Sequence, residues 1–427
     1  MTFEGGLDFA RAQDAADPLA SFRDRFAIPQ RPDGTDVIYL CGNSLGLQPK
    51  AAVSFVREEL EVWGAMAVGA HFAAKRPWVS YQERLAPATA ALVGADSGEV
   101  VTMNTLTVNL HLMMVSFYRP TPSRHQVLIE RPAFPSDRYA VESQIRFHGF
   151  DPAESLIEVG PREGESTIWM EDLEARIQAE GSAIALILLP GVNYYSGQVF
   201  DMAALARLGH AQGCQVGFDL AHAVGNIPIQ LHDWNADFAV WCTYKYLNGG
   251  PGSVAGCFVH ARHRDWADQP RLAGWWGHDK ATRFQMGPDF VPIPGAEGWQ
   301  VSNAPILSLA PVLASLGLFE EAGMPALRAK SDRLTSYLAY LVREALGARV
   351  EILTPSDSAQ RGCQLSLRVR DARVSQRGVF EALAAHGVVC DWREPDVIRV
   401  APVPLYNCFE DVFEFVGVLT RALASDG

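Results

Sequence analysis

Six short apolar runs constrain this chain more than any other feature: Glu99–Met103, Gln126–Glu130, Ile184–Leu189, Gln215–Asp219, Phe238–Thr243 and Gly256–His260. Each has the length of a strand, and runs such as Ile184–Leu189 are apolar throughout instead of alternating with polar residues. Strands that are apolar on both faces are buried on both faces, the habit of a mostly parallel sheet whose crossovers are helices. Met202–Gln212, between two of the runs, carries its apolar residues at helical spacing. An open α/β sheet of this kind binds its ligands beyond the C-terminal ends of the strands.

The pattern changes outside this block. Residues 1–35 read as an irregular arm with one short amphipathic helix near Ala16–Phe26. Val37–Leu40 is a short strand that runs into the turn Cys41-Gly42-Asn43-Ser44-Leu45-Gly46. A long helical zone covers Pro305–Leu346. Strands at Val350–Leu353 and Gln364–Val369, a helix at Gln376–His386, strands at Val388–Asp391 and Val397–Val400, and a closing helix at Phe409–Ala424 describe a small α+β unit. The expected organisation is an arm (1–50) packing with the small domain, a large α/β domain (51–310) and a small C-terminal domain (311–427). A chain of 427 residues holds more than one core.

A formal net charge of −13 argues against a nucleic-acid or anionic-membrane surface. The seven cysteines are scattered, with no C-x-x-C pair, which suits reduced thiols in a cytosolic protein better than disulfides or zinc. The acidic start lacks the layout of a signal peptide, and the longest apolar run, Ala183–Leu189, is too short to cross a bilayer. The expectation is a cytoplasmic enzyme acting on a small molecule.

Two of the strands lead to charged residues. Gln215–Asp219 closes on a carboxylate, and Phe238–Thr243 runs into Tyr244 and Lys245, 26 residues after Asp219. Pyridoxal phosphate needs a lysine to carry it as a Schiff base and an acid to keep its ring nitrogen protonated. A carboxylate about 4 Å from that nitrogen is worth ~4 kcal/mol at an effective dielectric near 20, roughly three pKa units. Any single lysine is more often a solvated surface residue, but this one precedes Tyr246-Leu247-Asn248-Gly249-Gly250-Pro251-Gly252, where glycines permit close backbone approach. Asp219 alone reads equally well as a helix N-cap. His222 reads as a hydrogen-bond partner on the cofactor side. As a zinc ligand with Asp219 it lacks a third ligand at recognisable spacing.

Other segments suit the rest of that cofactor and its substrate. Thr105 to His111 opens a helix, where free N–H groups and a hydroxyl suit a phosphate, or a plain capped helix. Phe134-Pro135-Ser136-Asp137 offers an aromatic face and an acid. Arg399, within the strand Val397–Val400, suits a substrate carboxylate as a two-pronged donor, with a structural salt bridge as the alternative.

Assembled, these residues resemble the kynureninase family, class V enzymes of pyridoxal-phosphate fold type I. The resemblance runs from about Tyr39 to Thr420 on YLCGNSLGLQPK, TLTVNLHLMM, FPSDRYAVESQ, GFDLAHAVGNIP, YKYLNGGPGS, GWWGH, SNAPIL, RGCQLS and IRVAPVPLYN. It implies a large domain with a mostly parallel seven-stranded sheet, pyridoxal 5'-phosphate on Lys245, Asp219 at the ring nitrogen, and His222 and Tyr244 as cofactor contacts, with Tyr244 also moving protons. It implies Leu106 and Thr107 at the phosphate, Phe134, Pro135, Ser136 and Asp137 as the ring-stacking loop, and Trp275 and Asn303 supplied by the partner subunit of a homodimer. For the substrate it implies Arg399 at the carboxylate and Ser44 as a further contact. His71, Ser302 and Asn303 would face the aryl ring, a polar set similar to that of members favouring 3-hydroxykynurenine. Pro190 departs from the pattern, standing where some members have a serine. The implied reaction is hydrolysis of L-kynurenine or its 3-hydroxy form in tryptophan catabolism. The rivals are a cysteine desulfurase or aminotransferase of the same class, a non-catalytic pyridoxal-phosphate-binding protein, and a metal hydrolase using Asp219 and His222.

Overall fold

The computed structural model describes residues 3–266 and 268–424. Ile38–Tyr39 forms β1, followed by β2 (Val100–Met103), β3 (Gln126–Glu130), β4 (Leu156–Val159), β5 (Ile184–Pro190), β6 (Gln215–Asp219), β7 (Phe238–Trp241) and β8 (Ala255–Val259). The seven from β2 to β8 make one sheet in the order β2-β8-β7-β6-β5-β3-β4. Neighbours from β7 to β4 pair in parallel, while β8 is antiparallel to both β7 and β2. The mostly parallel sheet expected from the apolar runs is present, with β4 as an edge strand that those runs did not include.

Both faces of the sheet are buried, as continuous apolar strands require. Leu128, Leu189, Val216 and Phe218 belong to the core on one side, and Ile129, Val240 and Cys257 to the core on the other. The second core is covered by α3 (Leu106–Phe117) and α4 (Pro135–Phe147), which bury Phe117, Val141 and Ile145 against it.

In the arm, the helix is α1 (Leu7–Ala15) and not Ala16–Phe26, which corrects the expectation. Pro18 disfavours helical backbone at the residue before it, Asp17. Asp17 Oδ1 instead accepts from Leu19 N at 3.0 Å, and Ala20–Arg25 winds as a 3₁₀ turn. Between these, α2 (Lys50–Met66) leads from the arm into the large domain. The helical zone divides at Gly323, where φ is 72°, into helices Ile306–Ala322 and Met324–Leu346.

In the small domain, β9 (Val350–Ile352), β10 (Leu365–Val369), β12 (Asp391–Arg393) and β13 (Val397–Val400) form an antiparallel sheet in the order β9-β10-β13-β12. The expected strand Val388–Asp391 is two: β11 (Val388–Val389) pairs in parallel with β1, and the chain then turns into β12. The arm shares the small domain's core, since Ala10, Ile38 and Leu40 pack with Leu338, Val400 and Phe415. Asp14 of the arm also caps the closing helix Phe409–Ala424, accepting from Phe409 N at 2.7 Å and Glu410 N at 3.0 Å. Among the described residues, no single helix is long and apolar enough to cross a membrane.

Candidate active site

Asp219 ends β6, and Lys245 lies four residues past the end of β7, so the sheet delivers both to its C-terminal edge. His222 follows Asp219 by one turn, and its Nε2 lies 2.9 Å from Lys245 Nζ. Lys245 Nζ also stands 5.9 Å from the centre of the Phe134 ring. Burial, followed by the positive charges of Lys245, Arg399 and Arg393, pushes His222 well below its usual pKa, so the imidazole is neutral. Its Nδ1 is buried without a partner.

Asp219 is 7% exposed, and its Oδ1 accepts from Ala221 N at 2.7 Å. Asp137 comes to its side from the first turn of α4. Burial pushes both carboxyls upward, and Asp137 rises further because Asp219 and Glu130 are its neighbours. Both carboxyls therefore hold a proton more readily than an exposed aspartate does, Asp137 the more so. Asp137 Oδ1 has no other partner.

The N-termini of α3 and α4 meet beside this pair. Asn104, at φ 48°, turns the chain from β2 into α3, and its Nδ2 donates to Asn109 Oδ1 at 3.0 Å. Thr105, the N-cap of α3, makes no side-chain cap, which leaves the N–H groups after it free, Leu106 and Thr107 among them. Thr107 Oγ1 lies 2.8 Å from Ser136 Oγ on α4, next to Pro135. An uncapped helix start flanked by two hydroxyls is an anion site.

Arg399 is fully buried. It donates from Nη1 to the Tyr194 carbonyl at 2.6 Å and from Nη2 to Asp391 Oδ2 at 2.5 Å, while its Nε has no acceptor. A salt bridge fixes the guanidinium, and one donor remains free. The Tyr194 ring meets Phe134 edge-on at 5.3 Å, joining the arginine to the aromatic loop. The arm's turn closes the other side. Gly46 N donates to the Tyr244 carbonyl at 2.8 Å, and a Cβ at Gly46 would lie 2.3 Å from the Lys245 carbonyl, so this close approach requires glycine and holds Ser44 near the lysine loop.

Tyr244 is raised in pKa by burial and then by Cys242, so its phenol keeps its proton. The remaining expected residues make contacts of their own. Trp275 is 41% exposed and donates from Nε1 to the Arg283 carbonyl at 3.0 Å. Ser302 and Asn303 are exposed and line a cavity of about 360 Å³ with Thr102, Asn104, Thr105 and Gly252. His71 packs against Trp78 at 5.3 Å. Glu130, Tyr194, Asp391 and Arg393 belong to the site's surroundings and were not singled out from sequence.

Comparison with known proteins decides between the readings. The Kynureninase C-terminal domain family matches residues 327–419, and the Aminotransferase class-V family matches residues 38–258. The kynureninase of Xanthomonas euvesicatoria pv. vesicatoria (strain 85-10) is 58% identical over 407 residues, covering 95% of this chain and 96% of its own. That of Koribacter versatilis (strain Ellin345) is 55% identical over 414 residues, 97% of each chain. The chain belongs to the kynureninase family. Solved structures share its fold: a mutant of the C–S lyase C-DES, with glycine linked to its PLP cofactor, superposes with a TM-score of 0.77 at 16% identity over 93% of this chain and 98% of that one. A cysteine desulfurase of Escherichia coli gives 0.76 at 18% identity over 95% and 98%.

Kynureninases depend on pyridoxal phosphate, and the side chains present fit it. The neighbouring carboxyls of Asp137 and Asp219 suit a protonated ring nitrogen, and Asp137 Oδ1 and His222 Nδ1 are buried polar atoms without partners. The uncapped start of α3 suits the phosphate. A desulfurase-like reactive thiol has no counterpart, because none of the seven free cysteines is exposed. The only group of three metal-binding side chains among the described residues, Glu99, His232 and His260, includes neither Asp219 nor His222.

Proposed function

We infer that this chain hydrolyses the Cβ–Cγ bond of L-kynurenine, or of its 3-hydroxy form, to anthranilate or 3-hydroxyanthranilate and L-alanine. The observation that carries the reading is the position of Lys245, with Nζ 2.9 Å from a neutral His222, facing the Phe134 ring beside the Asp137–Asp219 pair. When bound, pyridoxal phosphate supplies the electron sink that stabilises negative charge on the substrate carbons beside the cleaved bond. Asp219 would keep the ring nitrogen protonated, and Phe134 would cover the ring. Leu106, Thr107 and Ser136 would hold the phosphate, with Pro135 setting the turn that presents Ser136. Lys245 Nζ removes the α-proton, guided by His222 Nε2, which can accept a hydrogen bond because it is neutral. Arg399 and Ser44 hold the substrate's carboxylate end. Tyr244, protonated across the neutral range, donates a proton to the alanine side after cleavage.

The same reading makes the protein a cytoplasmic homodimer. Its support is a band of exposed apolar side chains, among them Val53, Leu60 and Trp63 on α2 and Phe72 beyond it, next to an apolar groove of about 890 Å³ between α2 and the lysine loop. Trp275 and Asn303 would then complete the partner's cofactor site, and His71, Ser302 and Asn303 its aryl pocket. We propose three units, 1–50, 51–310 and 311–427, with the first joined to the third through their shared core. Lys245→Ala should abolish the fluorescence of anthranilate, or of 3-hydroxyanthranilate, that appears when kynurenine or its 3-hydroxy form is added to the purified holoenzyme. Anthranilate formation retained by that variant overturns the assignment.

A further inference from the structure

Strand β12 meets β13 in a register that sets Asp391 opposite Arg399. Arg393, two residues past Asp391, returns to the same face of the sheet. Both guanidinium groups converge on one oxygen, Asp391 Oδ2, from Arg399 Nη2 at 2.5 Å and from Arg393 Nη2 at 3.0 Å. Asp391 is 9% exposed and Arg399 is fully buried. The cluster therefore holds two positive charges against one negative, and each arginine keeps a buried Nε with no acceptor. The Arg393 side chain is 34% exposed, so the charge that is fully buried is that of Arg399, and a buried guanidinium with an unmet donor is costly on its own. One monovalent anion supplied by a ligand neutralises it.

The cluster also bears on the cofactor pocket. Arg399 and Arg393 both depress buried His222, after burial itself and Lys245. Tyr194, whose carbonyl accepts from Arg399, connects the cluster to Phe134.

Resting on the reading of Arg399 as the contact to the substrate's α-carboxylate, we propose that Arg393 is the residue that sets the charge of this subsite. Arg393 neutralises Asp391, which leaves the charge of Arg399 for the ligand. Without Arg393, Asp391 and Arg399 form a closed neutral pair, and the bound carboxylate faces an acid that only one arginine balances. Replacing Asp391 by asparagine as well returns the cluster to a single positive charge. That rescue separates a charge role from a merely structural one.

The test is calorimetric binding of L-alanine and of L-alaninamide, which lacks the carboxylate, to holoenzyme variants. Arg393→Gln should weaken L-alanine about 10- to 100-fold and leave L-alaninamide unchanged. Arg393→Lys, which keeps the charge, should retain most of the affinity. The double variant Asp391→Asn/Arg393→Gln should recover to within a few-fold of the parent. In turnover, KM should rise in Arg393→Gln while kcat stays within a few-fold. Equal losses for both ligands, no loss for alanine, or no recovery in the double variant overturns the proposal. Alanine and its amide differ only in the carboxylate, whatever ketone is cleaved. An intact binding pattern without anthranilate production thus rejects the function and keeps the charge assignment, and the converse rejects the charge assignment alone.

Discussion

Glu130 closes β3 at 4% exposure, and burial, followed by the charges of Asp219 and Glu158, pushes its pKa up to about 8. Its ordinary value is 4.5, so between these two values the native state binds a proton that the unfolded chain has released. Native stability from this group is therefore fully present below pH 4.5 and is lost as pH rises toward 8. The loss amounts to something on the order of 4 kcal/mol. Glu130→Gln removes it, so urea unfolding of the cofactor-free protein should show the variant more stable by that order at pH ~9 and matched near pH ~4.5. A difference that does not vary with pH refutes the assignment. The same residue shows where sequence reading stops. Asp219 and Lys245 were legible because each follows an apolar run that ends at the ligand edge of a sheet. Glu130 also ends such a run, but a strand-terminal glutamate reads as a solvated end until Asp137 and Asp219 are placed beside it. Arg393 was hidden for a related reason, since only the β12–β13 register reveals that it shares an acid with Arg399.

Strand β8 lies between β7 and β2, and its Gly256 is paired with Trp241 on one side and Thr102 on the other. A Cβ there would lie 2.1 Å from Cε2 of the Trp241 ring, which is fully buried. The ring has no free volume to retreat into, so Gly256→Ala should cost about 1–3 kcal/mol or more and lower the thermal midpoint seen by circular dichroism. Gly317 is the contrasting case: it is exposed within the helix Ile306–Ala322, and a Cβ there meets nothing within 4 Å. Gly317→Ala should raise the midpoint, gaining up to about 1 kcal/mol from helix propensity. If both substitutions lower stability alike, the packing argument at Gly256 fails. At this scale apolar continuity carried most of the information, because four of the five parallel strands need both faces covered. The misses were the elements defined by remote partners. Leu156–Val159 alternates as an edge strand with half-buried Glu158 paired to Arg138, and Val388–Asp391 divides because β1 claims its first half and β13 its second.

At the scale of the whole molecule, one chain gathers Lys245, Asp219, His222 and the phosphate turn, but it leaves Trp275, Ser302 and Asn303 facing outward. Exposed polar and aromatic residues beside an uncovered apolar band are what a site shared between two subunits leaves on each isolated surface. A shared site has a consequence that a site complete within one chain does not. In the proposed dimer, Lys245→Ala would remove the lysine of a protomer's own site, whereas Asn303→Ala would remove a residue that the protomer lends to its neighbour. Each homodimer should be inactive or strongly impaired. In a heterodimer of the two, the protomer carrying Asn303→Ala keeps its lysine and receives an intact Asn303, so one of its two sites is whole. Random pairing on co-expression makes half of the dimers mixed, and the pool should recover about one quarter of parental anthranilate production. If the site were complete within each chain, both sites of the heterodimer would carry a defect and mixing would restore nothing. Trp63→Glu, placing a charge on the exposed face of α2, should shift sedimentation from dimer to monomer and abolish the recovery with it. Recovery that survives in a sedimenting monomer would refute the shared site.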